Sequence, residues 1–74
     1  MPEPDQYLWQ AAFDLTPAEA RMAAQIFSGM TVRGAAAALG CSVNTANSHL
    51  DAVFAKTGAH RQADLVKVLL LAMD

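Results

Sequence analysis

Residues 31–58 read TVRGAAAALGCSVNTANSHLDAVFAKTG, and the punctuation of this stretch decides the architecture. Thr31 stands where a helix N-cap is wanted, and Gly40 stops the run that follows, so residues 32–39 form a short helix. Cys41 fills the turn as a small apolar residue. Ser42 then caps a longer helix that continues to about Thr57, where Gly58 ends it. At 100° per residue, Ala46, Leu50, Val53 and Phe54 share one face of that helix and turn inward. Asn44, Asn47, Ser48 and Asp51 share the other.

Working outward, the preceding segment carries the sharpest local signal. Thr16-Pro17-Ala18-Glu19 is a capping box: the Thr16 hydroxyl can accept from the amide of Glu19, whose carboxylate can accept from the amide of Thr16. Pro17 falls at the first helical position, where its missing N–H is no loss. The helix runs to about Ser28, with Ala20, Ala23, Ala24 and Phe27 on the buried stripe and Met22 and Ile26 beside it. Gly29 stops it. Beyond Gly58, a further helix is expected over residues 61–73. Its stretch 65–73 has Lys67 as its one polar residue. A helix apolar all round is normally covered on every side, so Leu65, Val68, Leu71 and Ala72 are candidates for contact with a second copy.

Ahead of Leu15 the reading is open. Met1 to Asp5, with Pro2 and Pro4, read as a linker. Tyr7, Leu8, Trp9, Ala11, Ala12 and Phe13 form an apolar cluster of one or two helical turns, either a lid on the domain or the cut end of something larger. The expected division is therefore a lead-in over residues 1–14 and a domain over residues 15–74. The fold class is all-α: four helices built around a helix-turn-helix unit, with residues 7–13 adding a short helical segment or none.

Composition bounds the chemistry. A 74-residue chain makes one domain with a thin core. Its single cysteine, Cys41, cannot close an internal bridge, and His49 and His60 lie at no metal-ligand spacing from it. No cofactor or metal is expected, and the default setting is the reducing cytoplasm. The apolar run 68–73 is too short to span a bilayer, and no charged segment followed by a long apolar run opens the chain. No carboxylate pair with a pocket, phosphate loop or nucleophile triad stands out, so neither an enzyme nor a small-molecule site is expected. The net charge is −2, but Glu3, Asp5 and Asp14 fall in the first fourteen residues. From Leu15 on, Arg21, Arg33, Lys56, Arg61 and Lys67 face Glu19, Asp51, Asp64 and Asp74, a net of +1. That is neutral, where a nucleic-acid binder usually carries a basic patch.

Two helices joined by a short glycine-containing turn make a helix-turn-helix unit, whose second helix fits the major groove of DNA. At this point the chain resembles a known family, the C-terminal DNA-binding domain of LuxR-type transcription regulators. The resemblance rests on Leu15-Thr16-Pro17 with Glu19, Gly29-Met30-Thr31, Ala36 with Leu39-Gly40-Cys41-Ser42, Thr45 with His49-Leu50, and Lys56-Thr57-Gly58. It implies bacterial transcription regulation by binding double-stranded DNA, from behind a sensor or receiver domain. The reading helix would cover residues 42–56, and the last helix would pair two copies into a homodimer. On that basis Asn44, Asn47 and Ser48 would face bases, while Arg33, Lys56 and Arg61 would hold phosphates. Thr45 is either a cap or a phosphate contact, and His49 either a packed ring with a polar tip or a phosphate contact.

Three departures from the family pattern have physical consequences. Asn47 replaces a basic residue between the family's threonine and histidine, so it releases no counterion from a phosphate. Gly34-Ala35-Ala36 replaces a Glu-Ile-Ala run, so Thr31 loses the second half of a capping box and Gly34 costs about 1 kcal/mol against alanine. Ala35 thins the core where two helices cross. Modest stability and a shallow salt dependence follow. The other class of function compatible with these residues is a helix-turn-helix fold retained for protein interaction and dimerisation, with weak or no DNA binding.

Overall fold

The computed structural model describes residues 3–74; the linker reading of Met1 and Pro2 lies outside them. The described residues form five helices and no strand: α1 (Gln6–Phe13), α2 (Pro17–Phe27), α3 (Val32–Leu39), α4 (Val43–Thr57) and α5 (Gln62–Ala72). The all-α class and the helix-turn-helix unit of α3 and α4 stand as read from the sequence, and the further N-terminal helix is present as α1.

Each boundary has a local cause. Asp5 caps α1 through Leu8, at 3.0 Å. Asp14 ends α1 in the left-handed region at φ 56°, which aspartate tolerates better than most side chains. The capping box of α2 is closed in both directions: the Thr16 amide donates to Glu19 Oε1 at 3.0 Å, and the Glu19 amide donates to Thr16 Oγ1 at 3.2 Å. Thr31 caps α3 by accepting from Gly34 at 3.0 Å, with no returning carboxylate. Gly40 takes φ +70° after α3 and Gly58 takes +79° after α4, where a Cβ would be strained.

The buried stripe of α2 is as expected, with Ala20, Met22, Ala23, Ala24, Ile26 and Phe27 all in the core. On α4, Ala46, Leu50 and Val53 are buried and Phe54 is half-buried against them. Ala35 and Ala36 are the buried residues of α3. Of the apolar cluster in α1, Trp9 packs into the core: it is fully buried, tilted against Phe27 at a centroid distance of 5.3 Å. Its indole N–H donates to the Leu69 carbonyl of α5 at 3.0 Å. Among the described residues no helix is long and apolar enough to cross a membrane.

Candidate nucleic-acid interface

The turn from α3 into α4 is three residues long: Gly40, Cys41 and Ser42. The Cys41 amide closes it on the Ala36 carbonyl at 3.0 Å, while the thiol is free and half-buried against the core. Ser42 is then held twice. It accepts from the Thr45 amide at 3.1 Å and donates its own proton to Thr45 Oγ1 at 3.0 Å. The cap is thus Ser42, and Thr45 is left with its hydroxyl proton free to donate outward.

Burial of Ala46 and Leu50 sets the rotation of α4 and leaves Asn44, Thr45, Asn47 and Ser48 exposed. The Ser48 hydroxyl donates back to the Asn44 carbonyl at 3.1 Å, so it faces an incoming group as an acceptor. Among the described residues neither carboxamide makes a side-chain hydrogen bond, as a group that reads base edges requires. Neither α3 nor α4 carries an acidic residue in its first turn, whereas α2 has Glu19 there and α5 has Asp64. The positive ends of the two helices are therefore uncompensated, which favours an anion. Exposed Asp51, two helical turns along α4, reverses that sign and confines the favourable region to the first half of the helix.

The cations divide into free and engaged. Arg33 is exposed in the first turn of α3, and Arg61 is exposed at the N-cap of α5 without a side-chain capping bond. Lys56 is different, because its ammonium is engaged inside the chain. Its ammonium sits 2.7 Å from Glu19 Oε1 and donates to the Asp14 carbonyl at 3.1 Å. One side chain of α4 thus ties the C-cap of α1 to the first turn of α2. The Lys56 hydrogen bond, with the Thr16 amide behind it, holds the Glu19 carboxyl below its ordinary value against the opposing effect of burial. His49 is half-buried and lines a small cleft with Ala18, Arg21, Leu39 and Cys41.

The pairing surface expected on the last helix also changes. Leu65 is fully buried in the monomer core and is not available to a second copy. Leu71 is 65% exposed, and Leu70, absent from the expected set, is 44% exposed. Val68 is half-buried, and Ala72 is half-buried against the core. Leu70, Leu71, Met73 and Asp74 border an open depression of about 360 Å³ at the end of α5.

A tight glycine-containing turn, a bare polar helix after it and uncompensated helix starts define a helix-turn-helix domain of the DNA-binding kind. The GerE family profile, described as bacterial regulatory proteins of the luxR family, matches residues 14–69. The chain belongs to that family, which is one of DNA-binding regulators rather than enzymes. Comparisons with curated proteins and with solved structures give no match. The matched span begins at the left-handed Asp14 and leaves α1 outside it.

Proposed function

We propose that this domain reads duplex DNA with the first half of α4 and regulates transcription as a homodimer. The carrying observation is the exposed face of Asn44, Asn47 and Ser48 at the acid-free start of α4, one tight turn after α3. In the major groove these three face base edges, where an asparagine can pair bidentately with adenine. Thr45, Arg33, Arg61 and His49 hold the backbone; Lys56 is left out because its charge is engaged by Glu19. The exposed Leu71, with Val68 and Leu70, supplies the apolar patch for a second copy. A two-fold dimer places its reading helices about 34 Å apart, one turn of DNA, and so requires a palindromic site. The site of action is the cytoplasm.

Titration of labelled duplex at two salt concentrations, with sedimentation of the free protein, tests this. Binding is expected to weaken with salt along a shallow line, because each neutralised phosphate contributes a slope of only about −0.9 and few are neutralised. Complete absence of duplex binding by the dimer at low salt defeats the DNA reading. A concentration-independent monomer mass up to high micromolar removes the dimer. A protein-interaction role is favoured by the internal use of Lys56 and the near-neutral charge. It requires that Asn47→Ala leave partner capture intact while Leu71→Glu abolishes it.

A further inference from the structure

We infer that Arg21 and His49 together form a seat for one phosphate of the DNA backbone on the α2 side of the reading helix. Arg21 lies on α2 and His49 on α4, and the two line the same cleft. Its remaining lining residues, Ala18, Leu39 and Cys41, bring no carboxylate. Among the described residues Arg21 makes neither a salt bridge nor a side-chain hydrogen bond, and it is exposed. The guanidinium is a permanent charge whose planar fork matches phosphate oxygens. Beside it, the imidazole offers a further N–H. The cleft holds about 60 Å³, enough for a phosphate oxygen with a water but far below the few hundred Å³ of an organic ligand site.

Position on α4 fixes which phosphate. His49 follows Thr45 by four residues, so the two stack on one flank of the helix. Asn44 and Ser48 occupy the outer face next to that flank. With that face against base edges, the flank carrying Thr45 and His49 meets a backbone ridge of the groove, and Arg21 extends the contact from α2. Arg21 thus adds a cation that the reading helix itself lacks before Lys56.

The inference rests on the DNA reading, and the test separates the two. Wild type, Arg21→Ala, Arg21→Lys and Lys67→Ala are titrated with a bound duplex and with mixed-sequence duplex across a salt series. Circular dichroism checks that the exposed substitutions leave the fold intact. Arg21→Ala is expected to weaken both duplexes by the same factor, about three- to tenfold, and to reduce the salt slope by about 0.9 per site. Arg21→Lys keeps the slope, and Lys67→Ala changes little. Equal losses from Arg21→Ala and Lys67→Ala would show a bulk-charge effect and overturn the seat. So would an unchanged slope in Arg21→Ala while wild type binds. A wild type that binds no duplex overturns the DNA reading and the seat with it.

Discussion

The two ends of the helix-turn-helix scaffold are built by different means. Where α1 and α5 meet, the core is made of large side chains: Trp9, Leu65 and Leu69 are fully buried, and Trp9 packs tilted against Phe27 of α2. On α3 the buried residues are both alanines, Ala35 and Ala36, and α4 adds Ala46 beside Leu50 and Val53. The same contrast holds at the helix starts. α2 begins with a closed capping box whose carboxylate also binds Lys56, while α3 begins with Thr31 and a glycine. Buried apolar area stabilises at about 25 cal/mol per Å², so alanine contacts contribute little each. The polar reading face thus sits on the weakly packed side, anchored through α4 to a well-packed one.

The largest effect expected is at the anchor. Trp9→Ala removes a fully buried aromatic and its hydrogen bond from α1 to α5, and should cost about 3–5 kcal/mol. Chemical denaturation measures it. A loss under about 1 kcal/mol would mean that α1 is not part of the folding unit, and the contrast between the two ends would collapse to the caps.

Next in size is the link through Glu19. Glu19→Ala removes half of the capping box and leaves Lys56 without its ion pair, a loss of about 1–2 kcal/mol. Glu19→Gln keeps the capping geometry and loses only the charge, so its cost should be the smaller of the two. The pH dependence has a definite sign. The folded-state pKa of Glu19 lies below its ordinary 4.5, so its contribution is complete above that value and is lost as pH falls through the folded pKa. Acid titration of stability should therefore be flatter in Glu19→Gln than in wild type. Parallel acid limbs in the two proteins would show that the pair contributes nothing.

What the sequence revealed follows the reach of each interaction. Caps and glycine stops act within four residues, and the boundaries at Thr16, Thr31, Gly40, Ser42 and Gly58 were legible for that reason. The inward faces of α2 and α4 were legible because apolar and polar residues alternate at helical spacing. The ion pair of Lys56 was not legible because its partner Glu19 is 37 residues away and nothing local marks it. The packing of Trp9 was not legible because it reaches a backbone carbonyl 60 residues away. On α5 the failure has another cause. A helix apolar around most of its circumference has no periodicity to phase it, so Leu65 could not be told from Leu70. The structure turns the first into the core and the second outward.

The smallest expected effect sharpens the comparison most, because it acts on the weak side alone. Gly34→Ala removes a helix glycine that costs up to about 1 kcal/mol relative to alanine. An added Cβ would meet the Met30 Cε at 3.0 Å and Thr31 Oγ1 at 3.3 Å. Met30 is exposed and its methyl terminates a flexible side chain, so it can swing away. Thr31 Oγ1 cannot move far, because it accepts the Gly34 amide that caps α3. The gain should therefore fall below the full propensity difference, at about 0.5 kcal/mol, or a rise in Tm of about 2–4 °C for a domain of this size. Hydrogen exchange should slow most in α3, where the substitution acts on local opening. A fall in Tm would mean that the Thr31 cap contributes more to α3 than the backbone freedom of Gly34 costs it. The weak side would then be held chiefly by its cap rather than by its alanine packing.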